Sequence, residues 1–255
     1  KLVKKVLERF FIYTDILSWK GKKPTKNIQS LSRKKRYELL FAYCDKFKIN
    51  NILIGHHRDD LFENFFIIML RGSGLNGLVS LNTKSKIGDK NLLRPLLNQN
   101  KEDLEYISKK VFNFYVNDPT NKDDKYLRIR IRKLIFDLQQ NGLDKNKFLK
   151  TIKNLKESNF VVDFYVKQNL LNNTFFSNKN NQLLLNKNFF QQPYEIIFRA
   201  FSESIKLIGK RYYSVRGKKL DRIIDNIKND KYFKVTLGGC IIKKVNQTVI
   251  ISKEQ

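Results

Sequence analysis

Apolar positions in the first half of the chain switch between helical and strand-like spacing. Leu2 to Phe11 has helical spacing, Tyr13 to Trp19 reads as extended, and Asn27 to Phe47 predicts a helix on Leu31, Leu39, Leu40 and Tyr43. The short apolar run Asn51-Ile52-Leu53-Ile54-Gly55 predicts a buried strand. It feeds a helix from about His57 to Leu70, with Leu61, Phe65, Ile68 and Met69 expected on the core side, and Arg71-Gly72-Ser73-Gly74 ends it. Asn91–Arg94 reads as a second strand behind the turn Gly88-Asp89-Lys90. Asn100 is a candidate N-cap for a helix reaching Phe112, with Glu102 and Asp103 in its first turn. Helix, buried strand, helix is the pattern of a doubly wound α/β sheet, whose ligands gather at the carboxyl ends of the strands.

The second half reads differently. Helices are expected over about Asp124–Gln140 and Asp144–Asn172, then short strand-like pieces within the Asn-rich stretch Asn173–Gln192. Pro193 opens another helix, and the basic loop Arg211–Lys219 leads into a short one ending near Lys228. Tyr232–Leu237, Cys240–Lys244 and Thr248–Ser252 form a small β-meander, with Gly238-Gly239 as a tight hairpin turn. The fold class expected is therefore α/β: a partial doubly wound domain over residues 1–140, then a mainly helical region with a C-terminal β-meander over 141–255.

Charge adds a partner to this picture. Lys and Arg number 51 against 24 Asp and Glu, a net charge of +27 over 255 residues. Part of the excess fits AT-rich coding, which crowds a chain with Lys, Asn, Ile, Phe and Tyr, but such coding supplies Glu as well. The surplus points to phosphate neutralisation on nucleic acid. No apolar run approaches the roughly 18–20 residues of a membrane span, and a cytoplasmic location is expected. Cys44 and Cys240 are too few and too far apart for a disulfide framework or a zinc knuckle. The chain opens on Lys1 and its single methionine is Met69, so it is expected to lack its own N-terminus.

The densest chemistry is Gly55-His56-His57-Arg58-Asp59-Asp60-Leu61-Phe62-Glu63-Asn64, at the exit of the buried strand. His57, Asp60 and Glu63 recur every three residues and share one helix face. Two carboxylates and an imidazole there can hold Mg²⁺, orient an amine or move a proton. Zinc would need a third nitrogen or sulfur ligand, and none is near. The helix macrodipole alone accounts for Asp59 and Asp60, but not for paired histidines behind a strand. Arg71 among Gly72, Gly74 and Gly77 suits close approach to a phosphate, although a helix C-cap needs one glycine as well. Arg128 and Arg132, one helical turn apart, can grip one phosphate or carboxylate, or simply line a solvated face. Lys206–Lys219 interleaves cations with Tyr212 and Tyr213, a candidate RNA contact or a lysine-rich surface.

Six segments in order resemble the tRNA(Ile)-lysidine synthetases: Ile16-Leu17-Ser18-Trp19 with Asn27-Ile28-Gln29 and Arg36-Tyr37; His56-His57-x-Asp59-Asp60-x-x-Glu63; Arg71-Gly72-Ser73-Gly74-x-x-Gly77-Leu78; Arg94-Pro95-Leu96; Asp118-Pro119-Thr120-Asn121; and Arg128-x-Arg130-Ile131-Arg132. The resemblance implies an ATP-dependent PP-loop enzyme whose cofactors are ATP and Mg²⁺. Such an enzyme adenylates the C2 oxygen of the wobble cytidine in tRNA(Ile) bearing the CAU anticodon, and L-lysine then displaces AMP. By position it implies His57, Asp60, Gly72 and Gly74 on the nucleotide side and Asp59 or Asp60 at Mg²⁺. Asp60 and Glu63 would hold the lysine ammonium groups, with Asp60, Glu63 and Arg71 as the catalytic set. Arg36, Arg128, Arg130 and Arg132 would lie near tRNA.

The chain departs from the family in carrying Leu61, Asn64 and Ile129 where Gln, Thr and Asn are usual. The family's Ser-Gly-Gly-x-Asp-Ser pyrophosphate loop does not occur in these 255 residues, and Gly72-Ser73-Gly74 ends a helix rather than joining a strand to one. The 255-residue polypeptide is accordingly expected to bind ATP weakly, and low-micromolar saturation in a calorimetric titration would contradict this. Two other readings share parts of the pattern. The 2-thiocytidine synthetases of tRNA resemble Gly55–Asp60 but rely on Cys-x-x-Cys pairs. A non-catalytic RNA-binding remnant would need only the charge.

Overall fold

The computed structural model describes residues 2–21, 28–116, 125–178, 180–210, 215, 217–229 and 233–254. The Asp118–Asn121 turn and Tyr212 and Tyr213 of the basic loop lie outside the described residues. The chain divides into two compact units, Lys1–Leu149 and Lys150–Gln255.

The first unit is mixed α/β. Helices α1 (Leu2–Glu8) and α2 (Ile28–Lys46) precede β1 (Asn51–Leu53), which feeds α3 (Arg58–Met69) and the single turn α4 (Leu75–Leu78). Strands β2 (Lys84–Ile87) and β3 (Lys90–Leu93) follow, then α5 (Lys101–Phe112) and α6 (Leu127–Gln140). The sheet order is β1-β3-β2, with β1 parallel to β3 and β2 antiparallel to it. Strand β2 escapes the apolar pattern because Lys84-Ser85-Lys86-Ile87 has one apolar residue. It is a strand because Gly88, at φ +61°, turns the chain back onto β3.

Helix α2 packs on this sheet through Cys44, with Tyr37 and Phe41 against Ile52 and Leu92. Leu31, expected in that stripe, is 39% exposed. Tyr43, also expected there, instead donates its hydroxyl to Asp15 of the extended Tyr13–Trp19 stretch. That bond pushes the Tyr43 pKa up to about 12.

Helix α3 is buried on more than one side, since Asp60, Leu61, Phe62, Glu63, Phe65 and Phe66 are all inside. Phe148 sits against Phe62, Phe65 and Phe66 at ring distances of 5.2, 5.1 and 5.3 Å. Met69, expected to face the core, is 44% exposed at the end of the helix. Leu61 and Ile129, which replace polar residues usual in the family that the sequence resembles, are 3% and 7% exposed, so each fills apolar space.

In α7 (Lys145–Asn173) the Asp144 carboxylate accepts from the amides of Asn146 and Lys147, which satisfies the first turn. The second unit continues with β4 (Thr174–Ser177), β5 (Gln182–Leu185), a 3₁₀ turn at Lys187–Gln191, α8 (Tyr194–Gly209) and α9 (Gly217–Lys228). The meander is present as β6 (Lys234–Leu237), β7 (Cys240–Val245) and β8 (Thr248–Lys253). Its first turn has positive φ at both Gly238 and Gly239, as a two-residue hairpin requires. It is part of a larger sheet, for β8 pairs with β5 to give the antiparallel order β4-β5-β8-β7-β6. Leu185, Ile242 and Ile251 of that sheet, Ile197, Phe201 and Ile205 of α8, and Leu220 and Ile224 of α9 form one core.

Candidate functional site

The site is built where β1 and β3 end side by side. Because these strands are parallel, both deliver their following residues to the same edge of the sheet: Ile54 N–H donates to Leu93 O at 2.8 Å. His56 and His57 leave β1, and Arg94 leaves β3. His57 occupies the N-cap position of α3 in extended geometry (φ −122°, ψ −175°). Its amide donates to Asp60 Oδ2 at 3.0 Å, and its Nε2 lies 3.4 Å from the same oxygen. Arg58 ties this corner to the start of α5, donating to Asn98 O at 2.6 Å and Asn100 Oδ1 at 2.9 Å. The oxygen expected to cap α5 thus serves Arg58, while Asn100 still stands at the N-cap position.

Helix α6 supplies the counter-charges. Asp60 and Glu63 are one turn apart on α3, and Arg128 and Arg132 are one turn apart on α6, so they meet as two rungs. Arg128 Nη1 lies 3.7 Å from Asp60 Oδ1, and Arg132 Nε donates to Glu63 Oε1 at 2.5 Å. Glu63 is 1% exposed and Asp60 8%, so the carboxylates expected on one helix face are inside the unit. Burial first of all raises the Glu63 pKa, Asp60 adds to the rise, and Arg132 and Arg128 oppose it. Three buried atoms here have no hydrogen-bond partner among the described residues: His57 Nδ1, Arg58 Nε and Glu63 Oε2. A buried carboxylate with one oxygen unanswered is what a site for a cationic group presents. Removing the cation that hydrogen-bonds it should be costly. Arg132→Met is expected to destabilise the protein by about 2 kcal/mol in urea unfolding at neutral pH, discounted for the arginine's partial exposure.

Asp59 turns the other way, 3.3 Å from Lys145 Nζ. Each aspartate expected at Mg²⁺ therefore faces a protein cation, and no group of three His, Cys, Asp or Glu among the described residues is placed to hold a metal ion. These residues do not make a standing six-ligand Mg²⁺ site. Arg71 is exposed just past α3. Gly72 has φ +68°, so the helix end itself demands glycine there. Gly74 has no such demand and open space around it, while a Cβ on Gly77 would meet Ser73 Cβ at 2.8 Å. Arg36 and Arg130 are exposed on α2 and α6.

The His56–Arg94 contact is not visible in spacing, because the partners are 38 residues apart and meet only through the sheet order. Cys44 and Cys240 are buried thiols, one in each unit. No described helix is long and apolar enough to cross a membrane.

Comparison with known proteins matches the PP-loop domain family over residues 1–139. A tRNA(Ile)-lysidine synthase of Wolbachia pipientis wMel is 29% identical over 240 residues, 94% of this chain and 56% of its own length. The protein of the same name in Orientia tsutsugamushi (strain Boryong) is 31% identical over 260 residues, 93% of this chain and 55% of its own. In Mesoplasma florum the corresponding values are 29% over 249 residues, 96% and 59%. The chain spans just over half the length of these three relatives.

Proposed function

The chain belongs to the PP-loop domain family, and from that premise we propose that it acts in the ATP-dependent joining of L-lysine to the wobble cytidine of tRNA(Ile) with the CAU anticodon. In this reading the C2 oxygen of the cytidine is adenylated with loss of pyrophosphate. The lysine ε-amine then bonds to C2, the C2–O bond breaks, AMP leaves, and the amine gives up a proton. The observation that carries the reading is Glu63: a buried carboxylate with one oxygen on Arg132 and the other without a partner among the described residues. A lysine ammonium supplies the missing charge and donor. Asp60, one turn away, is the second carboxylate of the pair, and Arg128 and Arg132 are assigned to setting the charge of this pair.

Arg71, with the open backbone at Gly72 and Gly74, is assigned to the phosphate side, where developing negative charge needs a cation. His57 holds the start of α3 on that side through Asp60. Mg²⁺ is assigned to the phosphates of the nucleotide and takes no step through these residues. The exposed Arg36 and Arg130, within a chain of net charge +27, are assigned to the tRNA backbone. Residues 1–140 serve as the synthetase part and 141–255 as the region that grips tRNA, and the location is the cytoplasm, where this tRNA is used. The names of the relatives support this reading over its rivals. The test is transfer of labelled lysine to acid-precipitable tRNA by the protein expressed from its natural reading frame. Label should require ATP and tRNA(Ile) together. Equal retention of every tRNA with no lysine transfer would favour a non-catalytic RNA-binding protein.

A further inference from the structure

We infer that Arg94 is a positioning residue that fixes His56 as a neutral imidazole with its proton on Nε2, making His56 a hydrogen-bond donor, and not a proton acceptor, at the carboxyl end of β1. Arg94 Nε lies 3.1 Å from His56 Nδ1. A guanidinium Nε carries a hydrogen and no lone pair, and arginine stays protonated at any pH a protein meets. The bond therefore has one polarity: Arg94 donates and His56 Nδ1 accepts. A proton on Nδ1 would face the Arg94 N–H head on, which excludes both the other tautomer and the imidazolium.

The arginine cannot easily turn away. It is 5% exposed, its Nη1 donates to Asn82 O at 2.8 Å and to Ser85 Oγ at 2.9 Å, and its amide donates to Thr83 O at 2.7 Å. The surroundings agree with the geometry. Burial is the largest influence on His56 and lowers its pKa; Asp60 opposes this, while Arg94, Arg33 and Arg128 add to it. No described residue accepts a hydrogen bond from His56 Nε2, so its N–H is available to an oxygen of a bound molecule. That the oxygen belongs to the substrates named above rests on the proposed function; the tautomer does not. One consequence for that reaction is that the proton lost by the attacking amine does not go to His56.

The chain has only two histidines, so the test is direct. Long-range ¹H–¹⁵N correlation of the ¹⁵N-labelled protein, with His57→Gln leaving one imidazole, should show His56 with a pyridine-like Nδ1 and a pyrrole-like Nε2 at neutral pH. A ¹⁵N–¹⁵N coupling across the hydrogen bond should link Arg94 Nε to His56 Nδ1 in the unaltered protein. Arg94→Met should give a mixture of tautomers and a higher His56 pKa. A protonated Nδ1 near neutral pH, or an unchanged tautomer in folded Arg94→Met, would overturn the inference. If that variant does not fold, the coupling in the unaltered protein decides, and its absence counts against Arg94. Lysine transfer that fails while the coupling is present would remove the proposed function and leave this inference standing.

Discussion

Glu63→Gln is expected to leave the protein at least as stable at neutral pH while lowering lysine transfer by about 100-fold or more, the scale of losing a buried charge partner for a cationic ligand. The two halves of this result have one cause. Folding raises the Glu63 pKa, chiefly through burial. A carboxyl raised by folding contributes its stability fully below its unfolded pKa, and that contribution is lost as pH rises through the raised, folded value. The ionised form of the group is thus a net cost that Arg132 only partly offsets, and glutamine removes the charge without changing the shape. The advantage of the variant should shrink as pH falls through the raised pKa of folded Glu63, where the carboxylate takes up its proton, towards the ordinary carboxylate range. Thermal unfolding at several pH values and the labelling assay check both halves. A variant less stable than the parent at pH 7, or one that still transfers lysine normally, would remove Glu63 from its role.

Phe62→Ala should cost about 3–5 kcal/mol of stability, the usual range for deleting a buried aromatic side chain. Phe62 is 1% exposed and packs against Phe148, so its loss opens a cavity between α3 and the first turn of α7 that neither helix can close without moving. Because α3 also carries Asp60 and Glu63, transfer should fall with stability, unlike in Glu63→Gln. Urea unfolding monitored by circular dichroism checks this. A loss below about 1 kcal/mol would mean that the site relaxes around the gap and that Phe62 does not hold the helix.

Much of α3 is legible in the amino-acid sequence. The apolar run at Ile52–Ile54, the acidic first turn and the three-residue spacing of His57, Asp60 and Glu63 locate the helix and its chemistry, because local pattern governs those features; the strand expected to be buried holds only Ile52 inside, with Leu53 71% exposed. Spacing places the two carboxylates on one face but leaves that face open. Their burial depends on α6, and its Arg132 lies 69 residues from Glu63 along the chain. The arginines of α6 read from spacing as a grip for a phosphate or a carboxylate, or as a solvated face, and in the folded chain they answer carboxylates, each its own. Strand β2 is illegible because its register is set by β3 rather than by its own apolar residues. The extension of the meander into a five-stranded sheet likewise depends on β8 finding β5, a pairing that no local pattern announces. Gly238-Gly239 is legible because two positive φ angles in a row leave little choice of residue.

The most direct measurement is the mass of the wobble nucleoside. tRNA(Ile) with the CAU anticodon is incubated with the protein expressed from its natural reading frame, ATP and isotope-labelled L-lysine, then digested to nucleosides. Cytidine is expected to be replaced by a species heavier by one lysine less water, carrying the isotope, and tRNA with a non-cytidine wobble base should give none. Unaltered cytidine in the presence of both co-substrates, or the label on another nucleoside, would contradict it.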